Sequence, residues 1–149
     1  MAADGEHAHT HTHTNGVLPK LDIGAELRGK RIVVVGGTGF LGKVWLSMLL
    51  RYYPEIGKIY LVVRSKKGAD SEARFWSEIS AAAPFDPLRE AHPGAAYEAL
   101  LRQKIVPLDA DVSRALCGFA DETIASLRGS IDAVVNVAGV VDFNPPLDE

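Results

Sequence analysis

The sequence predicts an α/β fold, a doubly wound parallel sheet carried through about four strands. Three observations predict it. Apolar runs rich in β-branched residues, RIVVV at 31–35, KIYLVVR at 58–64 and IDAVVNVAG at 131–139, read as strands buried on both faces. Stretches of helical periodicity lie between them. A glycine cluster, GGTGFLG at 36–42, joins the first run to the first helical stretch. Strands alternating with helices require crossover connections, and these give a parallel sheet with helices on its faces.

The totals fit one domain. A chain of 149 residues is long enough to bury a core. Its 47% hydrophobic and 23% charged residues are ordinary for a globular protein. A net charge of −3 gives no general attraction to nucleic acid or to an anionic membrane. The single cysteine, Cys117, excludes an internal disulfide and a cysteine metal cage, and suits a reducing compartment. No apolar run reaches the roughly 18–20 residues of a membrane helix, and the N-terminus carries no apolar signal core. The expectation is a cytoplasmic protein.

Residues 1–17 are read as a disordered tail. His7, His9, His11 and His13 alternate with small polar residues, which at most makes a weak metal-binding strip, and no metal site is assigned. Order is expected from Leu18–Leu27, and residues 18–149 read as the N-terminal part of a nucleotide-binding domain. After the strand at 31–35, FLGKVWLSMLLRYY places Leu41, Val44, Trp45, Met48 and Leu49 on the buried side of a helix. Lys43, Ser47 and Arg51 then face away. Pro54 ends that helix, and the strand at 58–64 follows. Asp70 or Ser71 is expected to cap a helix running to about Ala83, with Phe75 and Ile79 buried. Pro84, Pro87, Pro93 and Gly94 break the next stretch. A short helix at 95–103, a strand at 104–111 with Pro107 near an edge, a capped helix at 121–129 and the strand at 131–139 complete the pattern. The expected strand order is 3-2-1-4, with a cofactor crevice between strands 1 and 4.

The glycine segment parses in two ways. Gly37, Gly39 and Gly42 fit G-x-G-x-x-G; Gly36, Gly39 and Gly42 fit G-x-x-G-x-x-G. In either reading one glycine permits the tight turn, one lets backbone approach a pyrophosphate, and Gly42 lets the helix pack on the strand. The helix N-terminus offers free amides and the positive end of its dipole to the phosphates. Gly36, Gly37, Thr38, Gly39, Phe40, Leu41 and Gly42 are therefore candidate cofactor residues. A strand before and a helix after supply the context that a bare glycine motif lacks.

The end of the second strand points to the cofactor. NAD sites carry Asp or Glu there, about 20 residues on, to hold the ribose 2′-OH. Here stands Arg64, followed by Lys66 and Lys67. A guanidinium binds a 2′-phosphate in bidentate fashion, whereas a carboxylate repels it, so the expected cofactor is NADP. A solvated basic loop is the plain alternative for the two lysines. Asp111 and Val112 close strand 3, where a carboxylate can accept from an adenine amino group and a valine can pack on the ring; a turn Asp is the alternative. Asn136, Ala138 and Gly139 close strand 4, where small residues admit a ribose close to the backbone or simply pack tightly. Trp76 is open between core and interface. Cys117 reads as packing and His92 as a loop residue.

These segments, GKRIVVVGGTGFLGKVWLSMLL, KIYLVVRSKKG, KIVPLDADV and the strand-4 ending, resemble the N-terminal part of the extended short-chain dehydrogenase/reductases, whose nucleotide-binding fold is the Rossmann fold. The likeness is greatest to the fatty acyl-CoA reductase branch, which is related to thioester-reductase domains, and covers about residues 28–145. Val35 stands where that branch usually has Thr, and residues 136–139 lack its usual His or Ser with paired alanines. The resemblance implies hydride transfer from NADPH to a fatty acyl thioester, giving aldehyde or, after a second reduction, alcohol. It also implies a catalytic Tyr-x-x-x-Lys. None exists here: four residues beyond Tyr52, Tyr53, Tyr60 and Tyr97 stand Ile56, Gly57, Arg64 and Leu101. Strand 4 would also be left as an apolar sheet edge, which complete folds pair or cover. The expectation is the front half of a larger domain, a cofactor-binding portion without turnover of its own. The alternatives are a sugar or steroid epimerase/dehydrogenase and a non-catalytic NADP-binding regulator.

Overall fold

A computed structural model describes residues 20–66 and 68–139. The expected tail at 1–17 and Lys67 lie outside the described residues. Four parallel strands form one sheet: β1 (Arg31–Val35), β2 (Lys58–Val63), β3 (Ile105–Asp109) and β4 (Ala133–Asn136). Their order is β3-β2-β1-β4, as expected from the alternation of strands and helices. Val33 lies in register with Tyr60 of β2 and with Val134 of β4.

The side chains of β1 alternate between two cores, as a strand's period of two requires. Ile32 and Val34 join a large cluster with Ile59, Leu61 and Val63. Val33 and Val62 point to the opposite face, where only a small cluster with Ala110 forms. The large core is roofed by α2 (Phe40–Tyr52), by Phe75 and Ile79 just after α3 (Ser71–Arg74), by α4 (Asp86–Ala91) and by α5 (Ala95–Lys104). The small one is flanked by Cys117 of a 3-10 turn at Ala115–Gly118 and by Phe119, and α6 (Asp121–Leu127) buries none of its residues. A five-residue helix, α1 (Ile23–Leu27), capped by Asp22, precedes β1.

Helix α2 corrects the expected buried face. Gly42, Leu46, Ser47, Leu49 and Leu50 are buried, while Leu41 (65% exposed) and Met48 (53%) face outward. The sequence carries two apolar stripes on this helix, and periodicity alone does not say which meets the sheet. Gly42 decides it, because only a residue without Cβ fits against the turn that ends β1. Trp45 packs at the margin of the core.

Asp70, not Ser71, caps α3, accepting from the Ala73 amide at 2.7 Å. The expected helix to Ala83 instead passes at once into a π-turn, Phe75–Ile79, which buries Phe75 and Ile79 as predicted. Trp76 packs on the core edge-on to Phe75, and the Arg102 guanidinium lies 4.4 Å over its ring. The prolines after it start structure where a break was expected. Pro84 sits in a 3-10 turn, Ala83–Phe85, and Pro87 in the first turn of α4, where a missing N–H costs nothing. Pro107 is tolerated because, among the described residues, β3 is an edge strand. Helix α6 lacks the side-chain cap expected of it: its N-cap is Ala120, and Asp121 is its first residue. Strand β4 is shorter than predicted and mostly exposed instead of buried on both faces, since among the described residues it pairs only with β1. Its start is pinned by Asp132, which accepts from the Arg31 amide at 2.7 Å.

Leu46→Ala is expected to cost about 2–5 kcal/mol and Met48→Ala less than about 0.5 kcal/mol, read by chemical denaturation. Equal losses would contradict this helix orientation.

Candidate functional site

All four strands end at one cleft of about 510 Å³. Val35, Gly36 and Thr38 contribute from the end of β1, Arg64 and Lys66 from β2, Ala110, Asp111 and Val112 from β3, and Ala138 and Gly139 from β4. A crevice outside the carboxyl ends, where strand order reverses between β1 and β4, is where open α/β sheets bind ligands.

The turn out of β1 assigns separate work to each glycine. Gly36 has φ +83°, and a Cβ there would lie 2.3 Å from the Ala138 nitrogen. It makes the tight turn and lets the strand-4 ending close against it. A Cβ on Gly42 would lie 2.4 Å from the Gly36 carbonyl oxygen, so Gly42 sets the contact between helix and turn. Gly37 faces inward, where a Cβ would meet Leu61 and Leu46. Gly39 alone is unobstructed, its Cβ reaching only the Gly36 oxygen at 3.5 Å, and it is the N-cap of α2. Gly36 thus makes the turn, Gly42 makes the helix contact, Gly39 stands unobstructed at the start of α2, and Gly37 is a packing glycine. No side chain caps α2, which leaves its first amides open to an anion. Of this turn, Gly36 and Thr38 line the cleft, whereas Gly37, Gly39, Phe40 (80% exposed), Leu41 and Gly42 do not.

Asn136 does not line the cleft. Its Oδ1 accepts from the Ala138 amide at 2.9 Å, which shapes the turn that presents Ala138 and Gly139. Asp111 does line it. Its Oδ1 accepts from the Ser113 amide at 3.0 Å and hydroxyl at 2.8 Å, and its Oδ2 lies 3.7 Å from the Arg64 guanidinium. Those Ser113 hydrogen bonds, then the charges of Arg64 and Arg114, hold its carboxyl below the usual range. The turn-Asp role and the cleft-facing role thus belong to one side chain. Val112 is exposed and lines the cleft beside Asp111.

Three residues escaped the sequence reading. Arg74, only 6% exposed, lines the cleft beside Arg64 and Lys66. It donates from Nη1 to the Arg64 carbonyl and from Nε and Nη2 to Glu78. Glu78 also lies 3.6 Å from Lys66. Asp109 accepts from the Ser65 amide at 3.0 Å, tying the segment after β2 to β3. A signal for Arg74 existed: it falls between Ser71 and Phe75 on the buried stripe, where an unpaired charge is costly. Cys117 is half-buried against the small core, as packing predicts. His92 is an exposed residue at the end of α4.

With this geometry in place, comparison with known proteins becomes specific. An NAD-binding family model described as male sterility protein matches residues 34–149. Fatty acyl-CoA reductase 2, chloroplastic, of Arabidopsis thaliana is 30% identical over 133 residues, covering 89% of this chain and 21% of its own length. Fatty acyl-CoA reductase 1 of Rattus norvegicus is 34% identical over 119 residues, 80% of this chain and 22% of its own length. The chain thus spans about a fifth of these relatives' length. Among solved structures, the terminal R domain from the myxalamid PKS-NRPS biosynthetic pathway superposes with a TM-score of 0.56 at 26% identity, over 81% of this chain and 27% of that one. No helix among the described residues is long and apolar enough to cross a membrane.

Gly42→Ala is expected to displace the turn and lower thermal stability, whereas Gly39→Ala leaves stability within about 1 kcal/mol. Asp111→Asn tests the carboxylate. A lowered native pKa means its stabilisation is complete above about pH 4 and is lost as pH falls through the native value. The stability difference between wild type and the variant, followed by denaturation against pH, should vanish in acid; a difference that grows there would contradict the assignment.

Proposed function

This chain belongs to the male sterility protein family of NAD-binding domains, and from that premise we propose that it is the NADP-binding portion of a reductase that transfers hydride from NADPH to a fatty acyl thioester, an acyl-CoA or carrier-bound acyl group, giving aldehyde or alcohol. The observation that carries the cofactor choice is the basic end of β2. Arg64, Lys66 and Arg74 converge on the cleft at the place where NAD sites hold a ribose with a carboxylate.

The cleft fits a dinucleotide on its own chemistry. The turn of Gly36, Gly39 and Gly42 leaves a backbone cradle with uncapped amides for the pyrophosphate. Asp111 and Val112 offer a carboxylate and an apolar surface for adenine. Ala138 and Gly139 leave room for a ribose beside β1, and the three cations offer charge-assisted donors for a 2′-phosphate. NADPH supplies the hydride; these residues bind and orient it. The acyl thioester is supported by the likeness to fatty acyl-CoA reductases, the two described above among them. The cytoplasmic location expected from the sequence belongs to this proposal, as does the view that these 149 residues bind cofactor without turning over substrate, since they contain no Tyr-x-x-x-Lys.

Titration of the chain with NADPH and NADH should show NADPH binding tighter by about tenfold or more, and Arg64→Ala should remove most of that preference. A preference for NADH would overturn the role of Arg64. The chain mixed with NADPH and an acyl-CoA should oxidise no NADPH; measurable oxidation would refute the cofactor-only role.

A further inference from the structure

Two of the three cations that line the cleft share a single carboxylate oxygen. Glu78 Oε2 accepts from Arg74 Nη2 at 2.7 Å and Nε at 3.2 Å, and lies 3.6 Å from Lys66 Nζ. Glu78 itself does not line the cleft; it stands behind the two cations, on the π-turn Phe75–Ile79. Arg74 is nearly buried, so its guanidinium cannot be left to solvent, and its remaining donors reach either the Arg64 carbonyl or the cleft. The π-turn places Glu78 four residues after Arg74 and keeps Phe75 and Ile79 anchored in the core. Arg74 is thus held nearly buried between Glu78 and the Arg64 carbonyl, while Lys66 stands on the open side of the same carboxylate.

We propose that Glu78 is a positioning residue for cofactor specificity, holding Arg74 and Lys66 as a preformed clamp for the 2′-phosphate of the nucleotide. The inference rests on the NADP reading above and deepens it. A guanidinium forked onto a carboxylate on one edge presents its other edge in a fixed plane, which lowers the ordering cost of binding a phosphate. Through Arg74 the same carboxylate also orients the Arg64 backbone, because Arg74 bridges Glu78 and the Arg64 carbonyl. Two cations are thus set by one acidic group outside the cleft lining, and the backbone of the third is tied to it through Arg74. A competing role, in which Glu78 occupies the cations and must be displaced, predicts the opposite sign on its removal.

The test uses 2′,5′-ADP and 5′-AMP, which differ only in the 2′-phosphate, titrated calorimetrically into the full 149-residue chain and its Glu78→Gln variant, with Arg64→Ala as control. Glu78→Gln should weaken 2′,5′-ADP by about five- to tenfold while 5′-AMP stays within about twofold. Glu78→Asp, which keeps the charge but retracts it, should fall between wild type and Glu78→Gln, and it serves if the glutamine variant fails to fold. Equal weakening of both ligands would reduce Glu78 to a general structural role. Unchanged or tighter 2′,5′-ADP binding, with Arg64→Ala still impaired, would overturn the clamp and leave the NADP reading standing. Failure of the wild type to prefer 2′,5′-ADP would overturn the NADP reading and the clamp with it.

Discussion

The contact between Gly42 and the Gly36 carbonyl is the constraint on which the rest of the molecule depends. With no Cβ at position 42, α2 begins directly against the turn that ends β1. That approach fixes which stripe of α2 meets the sheet, so Leu46, Leu49 and Leu50 close the large core over Val34, Ile59 and Leu61. It also starts α2, with no side-chain cap, directly after Gly36 and Thr38, which line the cleft. Gly36 completes the arrangement on the other side, because its positive φ and missing Cβ let residues 137 and 138 fold down beside β1. Core packing and ligand geometry are thus set by the same few backbone atoms.

Charge is distributed as unevenly as packing. The cleft collects Arg64, Lys66 and Arg74 at the end of β2, and each is paired with a carboxylate: Arg64 with Asp111, the other two with Glu78. Arg64 and Asp111 form a long, exposed pair, which a surface ion pair's small worth leaves easy to exchange for a phosphate. The Arg74–Glu78 pair is short, and Arg74 is nearly buried, which suits a fixed support. The hydrogen bond from Arg74 holds the Glu78 carboxyl below its usual range and keeps it charged through the neutral region.

Much of this was legible in the sequence. β-branched runs gave the strands, and their alternation with helices gave the order β3-β2-β1-β4, because parallel neighbours need crossovers. The glycine cluster marked the turn, and Arg64 and Asp111 marked the cleft. Other features depended on three-dimensional contacts. Two apolar stripes on α2 left its buried face ambiguous until Gly42 met Gly36. Pro84 and Pro87 look like breakers in one dimension, yet they open helical turns because the residues after them, Phe85 and Leu88, are drawn into the core. Asn136 looked like a ligand residue but spends its carboxamide on its own turn. Arg74 and Glu78 were missed because a helical i, i+4 ion pair normally signals an exposed surface. Here the π-turn and the Asp70 cap bring its arginine inward.

In the proposed function the turn of Gly36, Gly39 and Gly42 and the basic end of β2 hold one nucleotide between them. The most direct measurement is an NMR titration of isotopically labelled chain with NADPH, following backbone amides and arginine side-chain resonances. Saturable shifts are expected, confined to residues 36–42, Arg64, Lys66, Arg74, Asp111, Val112, Ala138 and Gly139. Shifts concentrated instead on the apolar groove of Leu116, Phe119, Ile124 and Leu127, or at the glycine turn without any at the three cations, would contradict it.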